Sequence, residues 1–442
     1  MRNIISLLGI VLLVSCKPNV ENNIGNTEIT KWQDNKRAAI SITYDDGTIN
    51  QFTVARPIMN KLDFPGTFYI ITGKVKGAGK GQFIGRPNEE IIQETATTKT
   101  NADNFFERAS LIGFTGTNEA VDYHSKAGSL FESGKINEAY ATIDEGFEKL
   151  RNGTLQKYTD IVYHDNAIDS TTWEDYKGYT AEGHEIASHT VTHPRLAALD
   201  EANLMYELQQ SKDDIEKYLG AAYTFSAECP YGTENERVMA YAHKIYPALR
   251  NRMAEPYLEE LNRSSKKDPA LTEKEYVQWQ RGPLTDASME LMKSWVDTSV
   301  SHDNIWLVLV FHGIDGVGWE PKTGAELEEY FGYMKEREPQ LWVATFADVT
   351  KYIRARKNTT VTSNVEGEEI VVNLSSTLDP ETYHVPITLK TYVPDSWKYT
   401  LLYKNKDLET PISLSIQNDD LGSYVLYNVK PETKEVKLLE AG

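Results

Sequence analysis

The chain has 442 residues, which is enough for two or three domains with sizeable cores. Its 65 acidic and 46 basic side chains give a formal net charge of −19, which disfavours a sequence-independent grip on nucleic-acid phosphates or on an anionic bilayer. We therefore expect neutral or cationic partners. A hydrophobic content of 40% with 25% charged residues excludes a disordered chain and a multi-span membrane protein, and two cysteines are too few for a disulfide framework.

The first sixteen residues predict an export signal. A basic residue precedes an apolar run over 4–14 that is too short to span a bilayer. The run ends in LVSC, which resembles the lipobox of bacterial lipoproteins, where the chain is cut before an acylated cysteine. We therefore predict a signal peptide over 1–15, lipidation of Cys16, a tether over 16–30, and a protein anchored to a membrane facing the periplasm or the cell exterior. An ordinary secretory signal with an incidental cysteine is the alternative.

From Ala38 onward, short β-rich runs alternate with amphipathic helical stretches, the pattern of a parallel α/β fold. The number of strands suits a barrel better than a small sandwich. Buried strands are predicted over 38–43, 66–71, 185–188, 223–227, 276–280, 305–311 and 341–345. Helices are predicted over 52–62, over 201–219 with Asp200 as N-cap, and over 289–300.

Two segments depart from the barrel pattern. Residues 74–180 are too many for a loop, and the helical composition of 119–152 predicts a mostly helical insertion that shapes the substrate site. The barrel is assigned to 31–357, and beyond it six alternating runs predict a β-sandwich over 358–442. The six strands are expected at 369–374, 386–392, 399–403, 412–416, 423–429 and 435–439. The sandwich has no row of tryptophans, which favours a bracing role over carbohydrate binding.

Three short strings carry candidate chemistry, and each is weak when taken alone. His189 and His193 are spaced i, i+4 in SHTVTHP. Asp45 and Asp46 follow a buried strand, where parallel barrels place their chemistry. His312 ends the very apolar run 305–310. Capping histidines and simple turns are the alternative interpretations.

Together, these strings resemble a known family. TYDDG, HEIASHTVTHP, ECPYG and LVLVFHG occur in the order of the motifs of the polysaccharide deacetylase family, which is also called the NodB homology domain or carbohydrate esterase family 4. The resemblance covers about 37–356 and implies an irregular (β/α) barrel. The expected fold is therefore an α/β barrel of this type with a helical insertion, plus a small C-terminal all-β sandwich.

The resemblance also implies a metal site and two proton-transfer groups. One divalent metal ion is expected on Asp46, His189 and His193, with zinc favoured over cobalt or nickel, and this donor set leaves a position open for water. Asp45 corresponds to the family's catalytic base, which takes a proton from the attacking water. His312 corresponds to the general acid, which protonates the leaving group.

Two further residues are expected to face the substrate. The backbone N–H of Tyr231, in the ECPYG string, corresponds to the group that holds the oxyanion together with the metal. Trp319, in the glycine-rich loop after the acid histidine, offers a flat face to a sugar ring, or alternatively only packs over the barrel rim.

The third and fourth motifs depart from the family's pattern. Glu228 stands where the family has an arginine that braces the catalytic aspartate, so we predict Arg281 as the replacement and Arg252 as the alternative. The acidic residue that orients the acid histidine is not evident. Asp286 and Asp297 are the candidates, and Asp297 fits a solvated helix position better.

These residues predict a metal-dependent hydrolase that removes N-acetyl or O-acetyl groups from an acetylated polysaccharide or oligosaccharide. The alternative is a catalytically impaired, membrane-anchored glycan-binding lipoprotein, which Glu228 favours and which Asp45 and His312 oppose. A hydrolase of peptides or small amides stays open, because the motifs describe the reaction centre and not the substrate. No nucleic-acid partner is expected, and the sequence does not indicate an oligomeric state.

Overall fold

The computed structural model describes residues 23–79, 81–115, 118–156, 171–404 and 411–441. The predicted signal peptide and Cys16 lie outside the described residues. The chain divides into two compact units. The larger unit is Lys36–Arg354, and the smaller combines the residues up to Asn35 with those from Ala355 onward. This division lies close to the predicted boundaries at residues 31 and 357.

The strands and helices alternate over most of the chain. The strands are β1 (Thr27–Ile29), β2 (Ala38–Tyr44), β3 (Thr67–Ile70), β4 (Glu185–Ser188), β5 (Ser226–Ala227), β6 (Ala248–Leu249), β7 (Leu258–Leu261), β8 (Tyr276–Arg281), β9 (Ile305–Phe311), β10 (Leu341–Val343), β11 (Thr359–Glu366), β12 (Glu369–Ser376), β13 (Ile387–Tyr392), β14 (Tyr399–Lys404), β15 (Ile412–Ser415), β16 (Gln417–Asp419), β17 (Gly422–Val429) and β18 (Glu435–Glu440). The α-helices are α1 (Arg56–Lys61), α2 (Asn88–Glu94), α3 (Phe105–Gly113), α4 (Asn118–Glu132), α5 (Ile136–Arg151), α6 (Trp173–Ala181), α7 (Glu201–Leu219), α8 (Glu236–Ile245), α9 (Met289–Ser301), α10 (Gly324–Lys335) and α11 (Phe346–Asn358). Among the described residues, no helix is both long and apolar enough to cross a bilayer.

The larger unit is built on a parallel sheet. Its strands follow the order β6-β5-β4-β3-β2-β9-β8-β7, and β10 pairs with the beginning of β2. All of these pairs are parallel. Within the described residues no ladder joins β6 to β7, so the barrel is irregular. The predicted α/β barrel is therefore confirmed.

The two central strands are buried along their whole length, which explains their continuous apolar sequences. Every residue of β2 and of β9 is buried. The ring of Tyr44 stacks on Phe68 at 5.0 Å and on Phe311 at 5.2 Å between ring centroids. Each such ring contributes about 1.5–3 kcal/mol by its burial. The carboxyl ends of these strands are thereby fixed relative to one another.

Two of the three predicted barrel helices match their predicted bounds to within one residue, while the third, over 52–62, is a π-helical turn over Gln51–Ala55 followed by α1. Helix α7 spans the predicted 201–219, and Asp200 caps it by accepting a hydrogen bond from the backbone N–H of Asn203. The predicted strand over 223–227 is shorter, because a 3-10 turn occupies Ala221–Tyr223 and only β5 remains extended. The segment 74–180 contains helices α2 to α5 and most of α6.

The smaller unit contains two antiparallel sheets. One has the order β1-β13-β17-β16 and the other β11-β12-β18-β14-β15. All six predicted strands are present, and β1, β11 and β16 are additional. Strand β1 corrects the end of the predicted tether, because Thr27–Ile29 pairs with Leu389–Thr391 and Trp32 is fully buried. A polar segment of three paired residues has no sequence signal that separates it from a linker.

Candidate active site

The motif residues meet at the carboxyl-terminal edge of the parallel sheet. They follow five different strands, and in a parallel sheet these strand ends lie side by side. Asp45 and Asp46 follow β2, His189 follows β4, Glu228 follows β5, Arg250 follows β6 and His312 follows β9. The fold thus brings together residues that are up to 267 positions apart in the chain (312 − 45).

Asp46, His189 and His193 form a group that can hold a metal ion, called the metal cluster below. Nε2 of His193 lies 3.3 Å and Nε2 of His189 3.6 Å from Oδ1 of Asp46. The three ligand atoms lie within 4.8 Å of one another. One carboxylate with two imidazoles fits zinc or a similar divalent ion and leaves a coordination position free.

Backbone contacts fix the orientation of His189. Its Nδ1 lies 3.0 Å from the carbonyl oxygen of Glu228, which can only accept a hydrogen bond. The ring proton therefore sits on Nδ1, and Nε2 keeps its lone pair for a cation. Burial, and then the charge of the adjacent Asp45, raise the pKa of Asp46 to about 7. A cation in the cluster would oppose both effects.

The loop between the two histidines is held by a carboxylate that the sequence did not single out. Glu207, on α7, accepts hydrogen bonds from the backbone N–H groups of Val191 at 2.8 Å and Thr192 at 2.9 Å. It also accepts one from the Thr192 hydroxyl at 2.6 Å. The loop needs this support because Thr190 and His193 adopt positive φ angles of 66° and 63°, which are costly for residues other than glycine.

A helix of the insertion supports the same loop from its other end. Nε2 of His124, on α4, accepts a hydrogen bond from the backbone N–H of Arg195 at 2.9 Å. Its Nδ1 donates to the carbonyl oxygen of Ala109 at 2.8 Å. Burial lowers the pKa of His124 to about 4, so the ring is neutral at pH 7 and can accept from Arg195. The insertion is therefore part of the scaffold of the metal cluster.

The residue that braces Asp45 is Arg250, and the prediction of Arg281 is wrong. Arg250 donates from Nη1 to Oδ1 of Asp45 at 2.6 Å and from Nη2 to Oδ2 at 2.7 Å. Both side chains of this bidentate ion pair are buried. Arg281 instead donates to the carbonyl oxygen of Gln280 at 2.9 Å and lies over the ring of Trp279. The alternative Arg252 pairs with Glu236.

Glu228 belongs to the same network, because it contacts the guanidinium that braces Asp45. Its Oε1 lies 3.0 Å from Nη2 of Arg250 and accepts a hydrogen bond from Asn251 at 2.6 Å. Burial raises the pKa of Glu228 to about 7, although the charge of Arg250 opposes the rise. Arg250 therefore lies between two buried carboxyl groups. Asp45, Arg250 and Glu228 are called the Asp45 network below.

The Asp45 network keeps Asp45 ionised. Burial alone would raise the pKa of this carboxyl, but Arg250 and then His312 outweigh burial and hold the pKa well below its usual range. Arg250 also donates to the Thr43 hydroxyl at 2.9 Å, which fixes the guanidinium against β2. An ionised carboxylate in this position can accept a proton.

His312 faces Asp45 through Nε2, but among the described residues no carboxylate contacts its other ring nitrogen, Nδ1. Its Nε2 lies 3.4 Å from Oδ2 of Asp45. Its Nδ1 is buried, and the described part of the chain offers it no hydrogen-bond partner. Asp286 is exposed, and the other candidate, Asp297, accepts from Tyr333 and Arg337 on a helix surface, so the prediction that one of them orients His312 is wrong. Burial lowers the pKa of His312 to about 3.

One glutamine joins the strand ends that carry Asp45 and His312. Nε2 of Gln51 donates to the carbonyl oxygen of Asp45 at 2.5 Å and to that of His312 at 2.7 Å. Gln51 is fully buried in a π-helical turn directly after β2. Because one side chain binds both loops, it fixes the spacing of the two predicted proton-transfer groups.

The metal cluster, Asp45, Glu228 and His312 line one pocket with a volume of about 400 Å³. Tyr231 and Trp319 stand at its rim, exposed by 46% and 41%. The ring of Trp319 lies 4.7 Å from that of His312, and the ring of Tyr231 lies 4.7 Å from that of His193. Both rings therefore face the space that a substrate would enter. The oxyanion role of the Tyr231 N–H stays a prediction.

A comparison with family models matches one segment of the chain. The model described as polysaccharide deacetylase matches residues 139–247, which include His189, His193 and Glu228. Gellan lyase from a Bacillus species is 25% identical over 290 residues, which cover 61% of this chain. The chain spans only 11% of the length of that relative.

Solved structures give weaker likenesses. The Xyl-CE4 domain of a multidomain xylanase from the hindgut metagenome of Trinervitermes trinervoides is 10% identical, with 71% of this chain and 89% of that chain covered and a TM-score of 0.34. The family 4 carbohydrate esterase from Streptomyces lividans in complex with acetate is also 10% identical, with 71% and 95% covered and a TM-score of 0.33.

Proposed function

We propose that this chain, which belongs to the polysaccharide deacetylase family, is a metal-dependent hydrolase that removes N-acetyl or O-acetyl groups from a polysaccharide or oligosaccharide. The observation that carries the proposal is the position of Asp45. It is held by Arg250, stands beside the metal cluster and lies within 3.4 Å of His312. A base, a cation site and a second proton carrier are the groups that acyl transfer to water requires.

Asp45 acts as the base in this proposal. Arg250 keeps it ionised, so Oδ2 can take a proton from the water that attacks the acetyl carbonyl carbon. Arg250 holds the carboxylate through both oxygens, which prevents it from rotating away from the water. The attack forms a carbon–oxygen bond and places the negative charge on the former carbonyl oxygen.

His312 carries the proton to the leaving group. The ring is neutral at rest because burial lowers its pKa to about 3, and its Nε2 faces Oδ2 of Asp45 at 3.4 Å. The proton that Asp45 accepts can therefore pass to Nε2 and then to the departing nitrogen or oxygen as the carbon–heteroatom bond breaks. The products are acetate and the free amine or hydroxyl of the sugar.

Asp46, His189 and His193 would hold the divalent ion, for which we propose zinc. When bound, such an ion supplies a Lewis acid that polarises the acetyl carbonyl and lowers the pKa of water. His189 contributes a lone pair on Nε2 because its Nδ1 proton is donated to the Glu228 carbonyl. Tyr231 and Trp319 contact the sugar rings in this proposal, which their exposure at the rim of the pocket supports.

The test is acetate release from a panel of N-acetylated and O-acetylated glycans by zinc-loaded protein. We expect release from at least one member and loss of about 10³-fold or more in the variant Asp45→Asn, which keeps the shape of the side chain but cannot accept the proton. Equal metal content and melting temperature in the two proteins would show that the fold is kept. No acetate release from any glycan, together with measurable glycan binding, would refute the hydrolase.

The alternative of a catalytically impaired glycan-binding protein depended on Glu228. Repulsion between Glu228 and Asp45 would disable the base if nothing stood between them. The guanidinium of Arg250 contacts both carboxyl groups, so this objection to catalysis is removed.

We also propose that the protein is an exported lipoprotein anchored through acylated Cys16. The LVSC string supports this, as does the short apolar run before it. Expression with a radiolabelled fatty acid tests it. Label is expected in the wild type and not in Cys16→Ser, and an unlabelled wild type that still loses its first fifteen residues would indicate an ordinary secretory signal.

A further inference from the structure

A second cavity opens beside the catalytic pocket. It has a volume of about 910 Å³, against about 400 Å³ for the pocket itself. The two share Tyr231, Gly232, Arg263 and Trp319 in their linings. The two cavities therefore adjoin, and a ligand bound at the metal cluster can extend into the second one. A groove of this size next to a reaction centre suits the neighbouring units of a polymer.

The charge of this groove differs from that of the rest of the protein. Three cations line it, Arg263, Lys266 and Arg281, and it is called the cationic groove below. The protein as a whole has 65 acidic and 46 basic residues, so a local excess of cations runs against the composition. Cavities lined by one sign of charge concentrate the opposite charge.

The protein's carboxylates act on Arg263 only at longer range: the charges of Asp45, Glu228 and Asp46 oppose the effect of burial on its pKa. In the described ranges, no carboxylate oxygen lies within ion-pair distance of Arg263, Lys266 or Arg281, whereas the next lysine, Lys267, pairs with Glu259. Arg281 uses one amino group on the Gln280 carbonyl and lies 4.5 Å above the ring of Trp279. Burial lowers the pKa of the Arg263 and Arg281 guanidinium groups, which indicates partial desolvation, yet arginine stays charged at pH 7.

One acidic residue, Glu234, lines the groove beside the three cations. Burial, and then the charge of Glu228, raise the pKa of Glu234 well above its usual range. Its Oε1 is buried and has no hydrogen-bond partner among the residues the structure describes. The groove therefore presents a net positive charge to whatever enters it.

The groove also offers apolar surfaces next to these charges. Trp319 is exposed by 41%, and the guanidinium of Arg263 lies 5.9 Å from its ring centroid. Leu291, farther along the lining, is exposed by 48%. A flat ring beside an unpaired guanidinium fits a sugar ring that carries an anionic substituent, because the ring face packs while the charge is paired.

We propose that the cationic groove binds carboxylated sugar residues, so that the substrate is an acetylated glycan containing uronic acid. The acetyl group in this inference rests on the proposed function. The binding of the acidic sugar does not depend on it. Arg263 stands at the boundary of the two cavities and pairs with the carboxylate of the unit next to the acetylated one. Lys266 and Arg281 bind the carboxylates of more distant units. The net charge of the protein therefore does not exclude acidic glycans.

The experiment compares one O-acetylated oligouronate with the same oligosaccharide after reduction of its carboxyl groups to neutral hydroxymethyl groups. We expect kcat/KM for acetate release to be at least about 10-fold higher for the acidic form at low salt, with the preference declining as salt is added. Arg263→Gln and Arg281→Gln should each reduce the preference several-fold, and Arg263→Lys should retain part of it. Arg37→Gln is the matched control, because Arg37 is exposed and precedes β2, at the end of the strand opposite to Asp45.

Binding measurements keep this inference separate from the proposed function. Calorimetry with the deacetylated oligouronate and its reduced form needs no catalysis. If acetate is never released but the acidic form still binds more tightly and Arg263→Gln abolishes the difference, the groove is assigned correctly and the hydrolase is wrong. If both forms bind and react equally, or if a phosphorylated neutral oligosaccharide is preferred over the oligouronate, the inference is overturned while the hydrolase stands.

Discussion

The metal cluster and the Asp45 network line the same pocket but are held in place by different means. The metal cluster depends on backbone conformation, with positive φ angles at Asp46 and His193, and on hydrogen bonds that hold the loop between the histidines. The Asp45 network depends on charge, since one buried guanidinium serves two carboxyl groups. The first arrangement is held by hydrogen bonds to backbone groups, some of them from the distant residues Glu207 and His124. The second is held by ion pairs that share one arginine.

The largest expected effect follows from removing a ligand of the metal cluster. Asp46→Asn should lose most of the bound divalent ion and reduce kcat/KM by on the order of 10³-fold, because the carboxylate is the cluster's one anionic ligand. Metal content measured by mass spectrometry and acetate release are the two readouts. Chelation of the wild type, followed by restoration with zinc, should give the same loss and recover it. A variant that keeps both metal and activity would contradict the assignment.

The next effect comes from removing the cation of the Asp45 network. Arg250→Met should leave two buried carboxyl groups without the cation they share and lower the free energy of unfolding by about 3–5 kcal/mol. Urea unfolding measures this change. The metal content should stay close to that of the wild type, since Arg250 contacts no ligand of the cluster.

A second change separates charge from packing in this network. Glu228→Gln in the Arg250→Met background should recover part of the stability, because one of the two unpaired carboxyl groups is removed. Arg250→Lys provides a folded comparison that keeps the charge but loses the bidentate geometry. If the double variant is no more stable than Arg250→Met, charge is not what holds this side of the pocket.

The support that His124 gives to the metal cluster should depend on pH. Burial lowers its pKa to about 4 in the folded chain, while the unfolded chain binds the proton near pH 6.5. The unfolded state therefore binds more protons below pH 6.5, and the free energy of unfolding falls as the pH drops from 6.5 towards 4. Between pH 7 and pH 4.5 this group accounts for about 2–3 kcal/mol.

The variant His124→Gln tests this share of the pH dependence. Urea unfolding at pH 7 and pH 4.5 should show a smaller difference between the two pH values than in the wild type. His184 is buried as well, and burial lowers its pKa to about 4, so part of the dependence should remain. An unchanged difference would mean that His124 does not need to be neutral in the folded state.

The smallest of these effects concerns the link between the two proton carriers. Gln51→Leu removes both hydrogen bonds to the Asp45 and His312 carbonyl oxygens and should cost about 1–3 kcal/mol of stability. We expect kcat/KM to fall about 10-fold with metal content unchanged. Gln51→Glu should behave similarly, because a carboxylate cannot donate to a carbonyl. Full activity in both variants would show that the spacing is fixed by the strands alone.

The metal cluster was predictable because its ligands lie in short, recognisable segments of the sequence. His189 and His193 belong to one short string, and Asp46 follows a strand whose seven residues are all apolar, hydroxyl-bearing or aromatic. The two central strands are continuous apolar runs, and the helix after Asp200 has apolar residues at helical spacing, so these elements were equally clear in the sequence. The polysaccharide deacetylase model matches the segment that contains both histidines, in agreement with the resemblance that the motifs indicate.

The supporting residues were not predictable for a physical reason. Arg250 follows a strand of only two residues, so no periodic signal marks its position as the end of a barrel strand. Gln51 and Glu207 are polar residues in helical segments, where a solvated surface is the ordinary expectation, yet both are fully buried. Their roles come from partners that are 6 to 261 positions away in the chain.

Strand β1 has a consequence for the order in which the protein is made. The small unit takes β1 and Trp32 from the beginning of the chain and the rest of its sheets from the end. During translation, β1 leaves the ribosome before the barrel strands. It cannot pair with β13 until the whole barrel has been synthesised. A chain that stops after the barrel would leave Trp32 without its sheet. The pairing of β1 with β13 can therefore form only after the barrel has been synthesised.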